Sequence, residues 1–84
     1  ILIKEPLQID AKEFMKRLSD EGIGSRPFFY PIHKQPVYEY IESFKKINHP
    51  ISENLAKKGF YIPSGLSLTE QDIEHVSNKI NSII

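Results

Sequence analysis

Cysteine is absent from this 84-residue chain, and that removes two structural devices at once. No disulfide scaffold can form and no thiolate metal site can be built. A reducing cytoplasm is the compartment this suits. No apolar run approaches the ~20 residues needed to cross a bilayer, and Ile1-Leu2-Ile3-Lys4-Glu5-Pro6 lacks the basic start and apolar stretch of a targeting segment. Charge of one sign is not in excess either: 11 Lys and Arg balance 11 Asp and Glu. The two signs are interspersed, so no electrostatic field draws nucleic acid or an anionic membrane to the surface. Glycine-rich phosphate loops, GxSxG and CxxC are all missing, which excludes the commonest nucleotide-binding, hydrolase and dithiol signatures.

The composition that remains is 39% hydrophobic and 26% charged, a balance that folds rather than staying disordered. At this length it makes one domain, residues 1–84, with a small core. The chain opens on Ile1 without an initiator Met and enters a β-branched pattern at once. A piece of a longer protein would look like this.

Ile1 to Ile3 read as a short strand stopped by Pro6. Asp10-Ala11-Lys12-Glu13 then has the form of an N-cap followed by an acidic N3 residue. The helix it starts carries Phe14, Met15, Leu18 and Ile23 as its apolar stripe and ends near Glu21, with Gly22 at the left-handed C′ position. Ser25 to Tyr30 alternates as a strand, placing Arg26, Phe28 and Tyr30 on one face; Pro27 makes it an edge strand or marks its beginning. Pro31 and Pro36 bracket Ile32-His33-Lys34-Gln35 as a rigid, shaped loop.

Beyond that loop, Val37, Tyr38, Ile41 and Phe44 fit a short helix broken at Asn48-His49-Pro50. A further helix, Ile51 to Lys58, closes on Gly59. Phe60-Tyr61-Ile62 reads as a brief strand ended by Pro63-Ser64-Gly65, and Thr69-Glu70-Gln71-Asp72 caps a terminal helix with Ile73, Val76, Ile80 and Ile83 on one side. This order predicts an α+β fold, a small antiparallel sheet with helices packed on one face. The other sheet face is apolar with no element left to cover it.

Individual residues carry less. His33, His49 and His75 are too scattered to indicate a metal site from spacing, and Thr69, Ser67 and Ser52 read as caps rather than nucleophiles. Arg26, flanked by aromatics, has the fork geometry to take a carboxylate or phosphate, against the plain alternative of a surface arginine paired locally. His33 has donors for a hydroxyl or phosphate oxygen, against the alternative of a solvated loop histidine, which spacing alone favours. The aromatics are mostly core candidates, with the tyrosines also suited to half-wet interfaces.

Two longer segments are more specific. Glu21 through Tyr38, including Ser25-Arg26-Pro27-Phe28-Phe29-Tyr30-Pro31-Ile32-His33, closely resembles the stretch after the first small-domain helix in the DegT/DnrJ family of sugar aminotransferases. Asn54 through Thr69 resembles that family's second landmark, a short helix, a strand ending in proline and a capped last helix. The likeness covers essentially the whole chain and lies nearest the perosamine-synthase-like branch.

The resemblance implies the C-terminal small domain of a pyridoxal-phosphate-dependent enzyme. Such an enzyme passes an amino group from glutamate to a nucleotide-linked keto sugar and acts as a homodimer. It further implies that the large catalytic domain of the same enzyme holds the cofactor lysine, that this chain supplies no catalytic or cofactor-binding residue and is inactive alone, and that Arg26, Tyr30, His33 and Tyr38 lie near the nucleotide-sugar substrate. Two other classes remain open at this point: an autonomous α+β module that binds a partner protein through its uncovered sheet face, and an RNA-binding sheet using strand aromatics. The balanced charge weighs against the second.

Overall fold

A computed structural model of the chain describes residues 1–45 and 48–84, without the side chains of residues 44 and 45. Helix α1, Ala11–Asp20, starts as the sequence dictates: the Asp10 carboxylate accepts the Glu13 amide at 2.9 Å. Its end is a Schellman motif. The Ile23 amide reaches back to the Leu18 carbonyl at 2.9 Å and the Gly22 amide to Ser19 at 3.0 Å, which requires the left-handed conformation of Gly22 at φ 77°. The turn also packs Ile23 against the end of α1, where Ile23 and Leu18 are both buried.

Strand β1 is only Arg26–Pro27, paired antiparallel with β2, Phe60–Tyr61, in the register Arg26 to Tyr61 and Pro27 to Phe60. The predicted strand through Tyr30 ends early. Pro27 has no N–H to donate, and the last contact with β2's side is a long bond from the Phe28 amide to the Gly59 carbonyl, 3.4 Å. On the far side of β2 the amino-terminal residues complete the sheet. Leu2 forms an antiparallel bridge with Gly59, the Ile3 amide donates to the Lys58 carbonyl at 2.9 Å, and Ile1 and Phe60 exchange bonds of 2.9 and 3.0 Å. The segment 58–60 is therefore central, with neighbours on both edges.

The proline-bracketed segment folds as two 3₁₀ turns, Ile32–Lys34 and Pro36–Tyr38, each closed by i to i−3 bonds. Prolines at its start and middle set the tight path. The helix expected from Val37 to Phe44 does not form as one piece: the second turn leads to a separate short helix α2, Glu42–Lys45. The Phe44 side chain, counted above in its stripe, lies outside the described residues. Helix α3, Pro50–Lys58, carries Pro50 in its first turn, where the missing N–H costs nothing. Its cap Gly59 is extended, at φ −100° and ψ 150°, so this glycine is present for close packing and not for a left-handed turn.

Helix α4, Glu70–Ile83, begins with a complete capping box: Thr69 Oγ1 accepts the Asp72 amide at 3.1 Å and Asp72 Oδ2 accepts the Thr69 amide at 3.0 Å. The core is Ile3, Ala11, Phe14, Leu18, Ile23 and Phe60, with Val76, Ile80 and Ile83 of α4 half-buried against it. Phe14 and Phe60 meet with ring centroids 5.1 Å apart. Opposed residues in an antiparallel pair share a sheet face, so Phe60 points to the helices while Tyr61, Arg26, Phe28 and Leu2 fall on the other face. The result is the small α+β fold that the pattern of elements predicts. Its Cα radius of gyration is 15.8 Å, against about 12 Å for a compact chain of this length.

Candidate functional site

Two clefts lie along the side of the molecule away from α4. The first, about 570 Å³, is lined by Gly24, Ser25 and Arg26 from the β1 side and Tyr61, Ile62, Pro63 and Ser64 from the β2 side. The cross-strand register puts Arg26 opposite Tyr61, which sets a guanidinium beside a phenol. Next to it Phe28, Phe29 and Tyr61 form a three-ring group with centroid separations of 5.7 to 5.8 Å, Phe28 stacked on Tyr61. Phe29 is 75% exposed and Tyr61 42%, so this group faces outward rather than into the core.

The second cleft, about 380 Å³, is lined by Tyr30, Pro31, Lys34, Glu53, Ala56 and Lys57. Here the first 3₁₀ turn lies against α3. His33 Nε2 is 3.0 Å from Glu53 Oε1, and Lys34 Nζ reaches the same oxygen at 3.4 Å. The His33 side chain is only 9% exposed, and its ring meets that of His49 edge to face at 4.8 Å. The hydrogen bond from His33, with help from the Lys34 ammonium, holds the Glu53 carboxyl below its ordinary value, against a smaller opposing effect of burial.

The four candidate residues are thus divided. Arg26 lines the first cleft, exposed. Tyr30 lines the second, because the strand that would have carried it onto the Arg26 face by alternation stops at Pro27. His33 joins the second group through Glu53, as a nearly covered side chain rather than a free loop histidine. Tyr38 sits half-buried at the end of the second 3₁₀ turn. Glu53, Lys34, Lys57 and Tyr61 carry no local sequence signal for these roles. Glu53 lies 20 residues from His33, a separation no helical or strand period connects.

Among the described residues no group of three or more His, Asp or Glu is arranged to hold a metal ion, and no helix is long and apolar enough to cross a membrane. A pyridoxal cofactor is held through a lysine whose amine is desolvated or otherwise tuned to be nucleophilic. The described lysines do not fit that role: no charged residue is buried, Lys34 is committed to Glu53 and Lys79 to Glu21 at the surface.

Residues 1–81 match the sequence pattern of the DegT/DnrJ/EryC1/StrS aminotransferase family. The chain belongs to this family. GDP-perosamine synthase from Escherichia coli O157:H7 is 36% identical over 72 residues, which is 86% of this chain and 19% of that protein. GDP-perosamine synthase from Vibrio cholerae is 29% identical over 98% of the chain and 22% of its own length. Spore coat polysaccharide biosynthesis protein SpsC from Bacillus subtilis is 28% identical over 93% of the chain and 22% of its own length. The chain spans about a fifth of the length of these relatives. No solved structure matches it. Within the family alignment, the segments that form the first cleft are the two landmarks described above, Gly24 to Arg26 and Tyr61 to Ser64.

Proposed function

We propose that this chain is the small domain of a pyridoxal-phosphate-dependent aminotransferase that moves an amino group from glutamate to a nucleotide-linked keto sugar. In this reading it closes the substrate site and performs no bond-making itself. The observation that carries the proposal is the meeting of the two family landmarks: segments more than thirty residues apart in sequence line one cleft, with Arg26 and Tyr61 paired across it. A guanidinium there suits the phosphate or hydroxyl groups of a sugar nucleotide, and Tyr30, His33 and Tyr38 supply further polar contacts along the neighbouring segment. The relatives' names, perosamine synthases and a polysaccharide biosynthesis protein, support this substrate class.

Pyridoxal phosphate, when bound, supplies the electron sink for amino transfer; its lysine and phosphate contacts belong to the large domain, since the lysines described here do not fit that role. The work of this chain's residues is to bind and orient the sugar nucleotide and to exclude water. The parent is proposed to be a cytoplasmic homodimer.

The test is Arg26→Ala in the full-length aminotransferase. Loss of one charge-assisted hydrogen bond to substrate costs about 1.5–3 kcal/mol, so KM for the nucleotide sugar is expected to rise roughly ten- to a hundredfold while the cofactor's visible absorption stays in place. An unchanged KM would remove Arg26 from the site. A parent enzyme that aminates no nucleotide-linked keto sugar would overturn the function itself.

A further inference from the structure

The segment from Pro31 to Tyr38 has little to hold it in place by itself. Its backbone bonds are all local: Lys34 to Pro31 at 3.0 Å, Gln35 to Ile32 at 3.1 Å, Tyr38 to Gln35 at 2.9 Å and Glu39 to Pro36 at 3.2 Å. Such 3₁₀ turns fix the shape of the segment but not its position on the rest of the molecule. Ile32 and Val37 are 72% and 64% exposed, so packing of these two apolar side chains does not anchor it either. The polar tie across to another element is the one between His33 and Glu53 of α3, shared with Lys34.

The geometry of that tie has a chemical consequence. A carboxylate offers no proton, so a 3.0 Å contact between Glu53 Oε1 and His33 Nε2 places the hydrogen on Nε2. In the neutral imidazole the remaining nitrogen, Nδ1, is then an acceptor. The ring is further confined by His49, whose edge-to-face contact at 4.8 Å comes from just before α3. Ring orientation and tautomer are both set by residues 49–53, an element the 3₁₀ segment otherwise touches little through its polar groups. The same oxygen draws in the Lys34 ammonium, so one carboxylate oxygen fixes two adjacent side chains of the segment.

We infer that Glu53 is a positioning residue: it selects the Nε2–H tautomer of His33 and fastens the segment 31–38 onto α3. That this fixes substrate-contacting groups rests on the function proposed above; the tie itself rests on the contacts alone. It also alters the role open to His33. A ring whose Nε2 proton is committed to Glu53 meets a substrate, in its neutral form, as a hydrogen-bond acceptor through Nδ1, which suits a sugar hydroxyl better than a phosphate oxygen.

Nitrogen-15 NMR of the histidine rings, together with hydrogen exchange of the Lys34, Gln35 and Tyr38 amides, tests this in the full chain with Glu53→Ala, Glu53→Gln and His33→Ala. The wild-type chain is expected to show His33 as a single neutral tautomer, protonated on Nε2. Glu53→Ala is expected to mix the two tautomers and to speed exchange at these amides by about tenfold. Glu53→Gln, whose amide oxygen can still accept from Nε2–H, is expected to restore the tautomer. The double variant His33→Ala with Glu53→Ala is expected to exchange no faster than either single one, because both remove the same contact.

A His33 tautomer unaffected by Glu53→Ala, or additive effects in the double variant, overturns the assignment. Parallel KM measurements in the aminotransferase separate the two proposals. If the tautomer and the exchange respond but the KM for the nucleotide sugar does not, the tie stands and the placement of this segment in the substrate site falls.

Discussion

A methyl group added at Gly59 would meet the Leu55 carbonyl oxygen at 2.6 Å and Phe28 Cβ at 3.4 Å. The first of these is backbone, fixed in the last turn of α3, and cannot swing away. Gly59→Ala is therefore expected to lower stability by about 1–3 kcal/mol through overpacking, measured as a shift of the urea midpoint. Gly24→Ala is the matched control. Nothing lies within 4 Å of a Cβ placed there, so a comparable loss at Gly24 would show that the effect at Gly59 is not one of space. Arg26 illustrates a different point at this scale. Its side chain was legible in sequence as a candidate by type and by aromatic company, but its true partner across the sheet, Tyr61, follows only from register. Register is a tertiary property here, because the strands pair across more than thirty residues.

Helix ends were the most legible elements, since each is written in four or five consecutive residues. The Asp10 cap, the Gly22 turn and the Thr69 box all form as their residue types dictate. The box on α4 gives a prediction. Thr69→Ala removes the side-chain acceptor for the Asp72 amide and is expected to cost about 1 kcal/mol. The Asp72 carboxyl is held below its ordinary value of 3.8 first by the Thr69 amide and then by the Thr69 hydroxyl. The unfolded chain therefore binds that proton more readily than the folded one, and stability rises with pH across the interval. The contribution is complete above about 3.8 and is lost as pH falls through the lower native value. Thr69→Ala should shrink this acid dependence, seen as a smaller difference between urea midpoints at pH 5 and pH 3; an unaltered difference would show that the box does not couple to the proton. The middle of the chain was less legible. Apolar spacing from Val37 to Phe44 satisfies a helical period, but Pro36 and the tight bonds after it spend those residues in a 3₁₀ turn before α2 can begin. The strand after Ser25 shortened for the related reason that Pro27 interrupts the ladder.

For the molecule as a whole, the sheet is covered by α1 and α4 on the Phe60 side and left open on the other, where Leu2, Phe28, Phe29 and Tyr61 lie in the open or half-covered. A chain with a radius of gyration of 15.8 Å has little capacity to fold over that face itself. Exposed apolar surface of this kind promotes association. The isolated chain is expected to self-associate, or to bind a hydrophobic dye, as its concentration rises in sedimentation and fluorescence experiments. Phe29→Ser is expected to reduce both, since Phe29 is 75% exposed and has little to lose in the core. A monomer at all concentrations with no dye binding would argue that the aromatic group is not an interface. That the face needs a cover was legible from the count of elements against strand faces; where the two clefts sit, and how the candidates divide between them, depended on pairings remote in sequence. Those pairings also govern the order of events during folding. The central segment 58–60 takes Ile1 to Ile3 on one edge and Phe28 on the other, so on the ribosome the amino-terminal strand waits, unpaired, until most of the chain has emerged. Helix α1 can nucleate early, yet its apolar stripe has no Phe60 to close upon until then. Assembly is therefore late and concerted, slowed by a loop closure of almost sixty residues.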